Sequence, residues 1–388
     1  MNKRIILKVL LGLAFVALLT GCVQIFEDET SEENAASGES IEVGVLMPLS
    51  GEAASVGLAG QAVLQIAEKE INDAGGVKGK NIKLAFEDGG CNANDANKAI
   101  NNLVSIKKVK VVIGGLCSSE TLTSAPVVEQ NKVVLLSPGS SVSSISTAGD
   151  FVFRNYPSDN AQGEVLAQYA AKKGYKKIGS LVEEQPYTEG INDTLSTEFT
   201  KLGGTVSVEK FAKDASDFRT QITKLQAEKV DVFFVDAQAP VKADLIVQQL
   251  VEAGVKGPFL INDQALGATT EFVEKHKDHL EGSVGTEVPY DTANPGMTKL
   301  QETYKALTGK DLQYLSYMAT YYDSLFIIKE AIDAAGEDPV KIKDYLYTVK
   351  GRKGLAGTLS FDSNGDPGPE FRHKLRIIKA GKVVDFTE

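Results

Sequence analysis

A chain of 388 residues, 43% of them apolar, is long enough for two domains with sizeable cores and too apolar to be disordered throughout. Its net charge of −11, with no tryptophan and no basic tract, argues against nucleic acid as a partner.

Residues 1–21 begin with Lys3, Arg4 and Lys8, continue through an apolar run at 9–19 and end in small residues before Cys22. This is a secretory signal rather than a structural helix. Its ending, Leu19-Thr20-Gly21-Cys22, resembles the bacterial lipobox, in which the cysteine is lipidated and becomes the mature N-terminus; an uncleaved membrane anchor is the alternative. Removing the three positive charges of the signal takes the net charge from −11 to −14. Export places the other two cysteines, Cys91 and Cys117, where disulfides persist, so they are expected to bond, at a gain of roughly 3–4 kcal/mol. Residues 22–40 are acidic, small and polar and read as a flexible tether.

Residues 41–47 form a strand closed by Pro48-Leu49-Ser50-Gly51, and a helix with Val63, Leu64, Ala67 and Ile71 at helical spacing follows. A strand at 81–87 ends in Asp88-Gly89-Gly90-Cys91, and residues 95–106 are helical. In Lys110 to Glu120, the run Val111-Val112-Ile113 is a strand buried on both faces, Gly114-Gly115 permits a sharp turn, and Ser118-Ser119 precede a helix to about Gln130. Two serine hydroxyls and the unpaired first amides of a helix can receive a small anion such as a carboxylate; equally, one serine can serve only as an N-cap. The strand at 133–136 ends in Ser137-Pro138-Gly139-Ser140-Ser141. The alternation predicts a parallel sheet, with the loops 49–55, 116–119 and 137–141 along one edge.

A second α/β series starts at Ser158. Its strands, at 177–182, 205–211, 230–235 and 258–261, alternate with helices, and polar residues again gather at strand ends: 183–188, 236–240 and Asn262-Asp263-Gln264. Long helices at 296–307 and 314–335, and a shorter one at 339–349, precede 357–361 and 372–386, which read as antiparallel strands. The tyrosine-rich start of the 314–335 helix reads as core packing. His276 and His279 at i, i+3 read as a solvated helix face, since lysines surround them and no cysteine is free to join a metal site; His373 has no obvious partner. No nucleophile elbow, P-loop or dinucleotide glycine pattern appears, so an enzyme, a metal or a cofactor is not expected.

Several segments together resemble the type I periplasmic solute-binding proteins, in particular the leucine/isoleucine/valine-binding family of ABC importers, in lipoprotein form. They are IEVGVLMPLSG at 41–51, INDAGGVKG at 71–79, IGGLCSS at 113–119, LSPG at 136–139, FRNYPSDNAQG at 153–163 and FDSNGD at 361–366. The resemblance implies an α/β fold of two Rossmann-like lobes with parallel-core sheets joined by three hinge crossovers. Residues 41–156 and 288–362 would form the first lobe, and 157–287 and 363–388 the second. The Cys91–Cys117 pair looks like that family's first-lobe disulfide.

By the same resemblance an amino acid would lie between the lobes. Ser118 would hold its carboxylate, Ser140 and Ser141 in the adjoining loop would also contact the ligand, with Ser141 bridging carboxylate and ammonium, and Val56 would lie at the side-chain pocket. The Gly139 carbonyl would accept from the ammonium, Asp263 would pair with it, Tyr187 would close over the ligand and Gln238 would contact it. Ser118 and Asp263 would then face each other across a shared gap. Relatives place an aromatic where this chain has Val56, aromatics near Asp236-Ala237-Gln238-Ala239, and glycine where it has Thr188. These departures favour a branched-chain ligand less and a smaller or polar amino acid more. The expected partners are an ABC permease and, through the lipid anchor, a membrane, with the protein itself a monomer. A sensor of the same fold for amides, urea or aromatic acids is the alternative.

Overall fold

The computed structural model describes residues 39–387. Its first sheet takes the strands β1 (Ser40–Met47), β2 (Asn81–Asp88), β3 (Val111–Gly114), β4 (Val134–Ser137) and β5 (Val152–Arg154), linked by helices α1 (Ala54–Asp73), α2 (Ala93–Asn101) and α3 (Ser118–Asn131). All are parallel, in the order β2-β1-β3-β4-β5. β3 (VVIG) and β4 (VLLS) are buried throughout, as expected of parallel strands covered on both faces. The order reverses between β1 and β3, and such a reversal opens a crevice at the strand ends. Gly114 closes β3 at φ +146°, and a Cβ there would sit 2.1 Å from the Leu46 carbonyl oxygen. Only glycine allows the chain to turn this close to the neighbouring strand.

The second series runs α4 (Asn160–Lys172), β6 (Lys177–Glu183), α5 (Pro186–Lys201), β7 (Thr205–Phe211), α6 (Arg219–Ala227), β8 (Val232–Asp236), α7 (Pro240–Glu252), β9 (Leu260–Ile261), α8 (Asp263–Gly267), α9 (Lys277–Leu280) and β10 (Val284–Glu287). Pro186 and Pro240 open α5 and α7, where a missing amide proton costs nothing. The chain returns to the first sheet through α10 (Pro295–Thr308), α11 (Leu315–Ala335) and α12 (Pro339–Thr348), of which α11 packs on α1 and β3 and α12 on β4. A small hairpin, β11 (Arg352–Gly354) with β12 (Gly357–Leu359), precedes β13 (Lys374–Lys379) and β14 (Lys382–Asp385). The second sheet has the order β14-β13-β10-β9-β8-β6-β7, parallel from β7 to β10 and antiparallel at β13 and β14. Its reversal falls between β6 and β8.

Two local expectations are corrected. The 357–361 strand does not pair with the C-terminal strand: β12 pairs with β11, and β13 pairs with β14 and β10. A tight two-residue turn lies within reach of each, and a short alternating run carries no label for its partner. His276 is not solvated, because its Nε2 lies 2.6 Å from Asp244 Oδ1 and the residue is buried, whereas His279 is exposed. Asp263, just past the end of β9, opens α8, which Asn262 caps by accepting from the Ala265 amide at 3.1 Å.

Cys91 and Cys117 are bonded. The bond joins the ends of β2 and β3, and buried Glu120 fastens the same junction, accepting from the amides of Cys91 (3.1 Å), Leu116 and Cys117 (3.0 Å each). The expected signal and Cys22 lie outside the described residues.

Candidate ligand-binding cleft

In the first sheet, the ends of β3 and β4 interlock. Ser118, first residue of α3, is buried, and its Oγ accepts from the amides of Ser141 (3.3 Å) and Val142 (3.2 Å). Its own proton is left to give. Ser141 is fully buried and its hydroxyl has no partner. Ser140 is committed elsewhere: its hydroxyl meets Thr121 Oγ1 at 2.7 Å and the carbonyls of Gly115 (3.0 Å) and Leu116 (3.2 Å). It braces the two loops against each other. Gly139 lies beside it, where a Cβ would come within 2.7 Å of Leu116 Cδ1. Val56, in the first turn of α1, is buried in the first lobe's core.

The second sheet supplies charge. Asp263 gathers five side-chain donors. Tyr156 (2.6 Å), Tyr317 (3.1 Å) and His373 Nε2 (3.0 Å) donate to Oδ2, and Tyr187 and Gln162 Nε2 (3.4 Å) to Oδ1. Burial alone would raise the pKa of this carboxyl, but the hydrogen bonds and the charge of His373 outweigh it, and Asp263 is held below the usual carboxylate value. Tyr156 and Tyr317 stack with ring centroids 4.5 Å apart, which fixes both hydroxyls on the acid.

The two groups are continuous. The Asp159 amide donates to Ser141 O at 2.8 Å, and Gln162 Nε2 reaches both Asp159 Oδ1 (3.3 Å) and Asp263 Oδ1 (3.4 Å). Gln162 Oε1 in turn accepts from the Asp263 amide (2.9 Å) and from Thr286 Oγ1 (2.6 Å). Ser118 and Asp263 therefore belong to one buried polar seam between the strand ends of the two sheets. Gln238 joins it through Glu183: its amide donates to Glu183 Oε2 at 2.9 Å, and its own Nε2 is buried without a partner. Thr188 holds the β6–α5 turn by donating to Glu183 O at 2.6 Å and Gln185 O at 3.0 Å.

Further contacts cross the seam. Lys213 donates to the carbonyls of Gly90 (3.2 Å) and Cys91 (2.8 Å), and Lys242 pairs with Glu52 at 3.0 Å. At the crossovers, buried Arg154 makes a two-pronged pair with Asp366 (2.7 and 2.8 Å) and also donates to the carbonyls of Ser141 (2.8 Å) and Val142 (3.0 Å). The hinge is thus bonded directly to a loop of the cleft.

A family model described as periplasmic binding protein matches residues 40–381. The chain belongs to the type I periplasmic binding protein family. The binding protein is 28% identical over 332 residues to a Leu/Ile/Val-binding protein homolog 1 of Brucella suis, across 84% of this chain and 87% of that one. Its fold is similar to that of a leucine binding protein of Thermotoga maritima, with a TM-score of 0.80 and 27% identity over 89% of this chain and 98% of the other. It is also similar to the branched-chain amino acid transporter substrate binding protein LivJ of Streptococcus pneumoniae in complex with isoleucine, with a TM-score of 0.79 and 25% identity over 89% and 98%. The family is one of extracytoplasmic solute-binding proteins that serve ABC transporters, not of enzymes. Among the described residues no helix is long and apolar enough to cross a membrane.

Tyr156, Tyr317, Gln162, Asp159 and Glu183 also belong to the seam, and the sequence alone does not assign them to it. For Tyr156, Asp159 and Gln162 a signal existed: all three fall in FRNYPSDNAQG. Tyr317 corrects the reading of the tyrosine-rich helix as packing alone, and His373 has a partner after all.

Proposed function

We propose that this binding protein captures a free amino acid between its lobes and delivers it to an ABC permease. The observation that carries the reading is the buried seam itself, with hydroxyls and a helix N-terminus at one pole and an ionised carboxylate at the other. A zwitterion taken out of water needs both. In this reading the carboxylate of the ligand meets Ser118, Ser141 and the first amides of α3, a 14-residue helix whose N-terminus carries partial positive charge. The ammonium meets Asp263 and the Gly139 carbonyl. The tyrosine hydroxyls around Asp263 can each turn to accept from that ammonium, since a hydroxyl is donor and acceptor at once. Val56 and Gln238 border the side chain, which points to a branched-chain or a small or polar amino acid. Residues 41–156 with 288–362, and 157–287 with 363–388, move as the two lobes, and lipid on Cys22 holds a monomeric protein at the membrane.

A thermal-shift screen of the twenty amino acids and common amides tests the reading. An amino acid is expected to raise the melting temperature, and Asp263→Ala to weaken its binding by about 2–4 kcal/mol, the scale for stranding a buried charge. Stabilisation by an amide alone, indifferent to Ser118 and Asp263, refutes it.

A further inference from the structure

The second sheet reverses its strand order between β6 and β8, the place where open α/β sheets take their ligands. β6 ends in Glu183 and β8 in Asp236, both fully buried. Asp159, buried just before α4, is bonded to Gln162 in the same seam, close enough for its charge to act on Asp236. The three carboxylates share a pattern. In each, one oxygen is held by an amide N–H: Glu183 Oε2 by the Gln238 backbone (2.9 Å), Asp236 Oδ1 by Asn262 Nδ2 (3.0 Å), Asp159 Oδ1 by Gln162 Nε2 (3.3 Å). In each, the other oxygen is buried; at Glu183 and Asp236 it has no partner, and Asp159 has only the Ser141 hydroxyl beside it. Buried acids with a purely structural role look different here. Glu120 and Asp323 have both oxygens bonded.

The cations nearby are already committed. Lys242 is held by Glu52 and by the carbonyls of Lys213 (2.9 Å) and Ala215 (2.7 Å), Lys213 by the carbonyls of Gly90 and Cys91, and Arg154 by Asp366. Three half-bonded carboxylates beside a ligand crevice are a receptor for several N–H donors bearing positive charge. We propose that Glu183, Asp236 and Asp159 form a side-chain subsite that selects a basic amino acid, one carrying an ammonium or guanidinium group. The proposal rests on the amino-acid reading of the cleft and narrows it. Burial first, and then the neighbouring acids, raises Asp159 and Asp236 well above their usual range, and burial above all pushes Glu183 up to about 7. An arriving cation restores their ionised forms.

The experiment is titration calorimetry of the full-length protein with lysine, arginine, ornithine, glutamine, leucine and isoleucine. At least one basic amino acid is expected to bind tenfold or more tightly than leucine and glutamine. Glu183→Gln and Asp236→Asn are each expected to lower that affinity tenfold or more, and Glu184→Gln, an exposed neighbour, to leave it alone. Leucine or isoleucine binding more tightly than every basic amino acid overturns the subsite and leaves the amino-acid reading standing, and it does so on the unmodified protein, whatever the variants do. Binding of none of the six overturns the subsite, and the amino-acid reading falls with it only where the remaining amino acids also fail to bind.

Discussion

Replacing Asp263 by asparagine keeps the shape of the side chain and removes its charge. Its amide nitrogen settles least badly on the Oδ1 side, where the Tyr187 hydroxyl can turn to accept and the Gln162 contact is long, at 3.4 Å. The three donors on Oδ2, from Tyr156, Tyr317 and His373, then meet a neutral carbonyl oxygen instead of a carboxylate. Hydrogen bonds to a charged group contribute about 1.5–3 kcal/mol and neutral ones about 0.5–1.5, so three such losses sum to about 3 kcal/mol. Urea unfolding without added amino acid, followed by circular dichroism at pH 7, should show this as a lower midpoint at unchanged slope. The pH dependence supplies a second check. The folded-state pKa of Asp263 lies below its ordinary 3.8. The stabilisation is therefore complete above the ordinary value and is lost as pH falls through the folded value, because the unfolded chain binds the proton first. The gap between wild type and Asp263→Asn should narrow in acid. A variant within 1 kcal/mol of wild type at pH 7 would show that the five donors do not act on a charge, and the electrostatic account of the cleft would fail.

Glu120→Gln faces the amide of Cys91, or those of Leu116 and Cys117, with an NH2 group, and should lower stability by about 1–3 kcal/mol in urea at pH 8. Burial pushes Glu120 up to about 7, so its protonated form adds stability that is complete below about 4.5 and is lost as pH rises to about 7; a wild-type profile that does not fall over that window refutes the assignment. Lys213→Ala removes the hydrogen bonds to Gly90 and Cys91 across the cleft and should speed ligand release about threefold to tenfold in stopped-flow, with melting temperature little changed; an unaltered release rate removes Lys213 from the closure.

The strand ends were legible in the sequence because each β-branched run stops at small or polar residues, and a parallel sheet puts those stops on one edge. Ser118, Ser141, Tyr187, Asp263 and Gln238 all lie along the seam for that reason. What surrounds Asp263 was not legible. Tyr156 and His373 are separated from it by 107 and 110 positions, and Tyr317 by 54. No spacing along the chain encodes contacts made through crossovers. Ser140 and Ser141 are neighbours of the same type, yet one braces the loops and the other has a free hydroxyl. That difference is set by the Thr121 hydroxyl and the Gly115 carbonyl, from another strand end. Thr188 and Glu183 show the converse case: a departure from relatives that looked like a change in the pocket also anchors a turn.

The two edges that meet at the seam differ in kind. The first sheet offers serines, glycine backbone and a helix N-terminus, which favour negative charge weakly and at short range. The second offers carboxylates, which in isolation are strongly disfavoured by burial. Neither edge is a complete site, and each is worst off when shut without a counter-charge. In the proposed reading, a ligand bearing one negative and one or more positive groups would remove both deficits only where both edges reach it, so its binding free energy would depend on closure and would shift the lobes toward the closed arrangement. Arg154 makes the linkage physical: one guanidinium is bonded to Asp366 at a crossover and to the carbonyls of Ser141 and Val142 in the ligand loop. Were the proposed ligand carboxylate to displace that loop, the displacement would be felt at the hinge through a group that is buried and bonded at both ends.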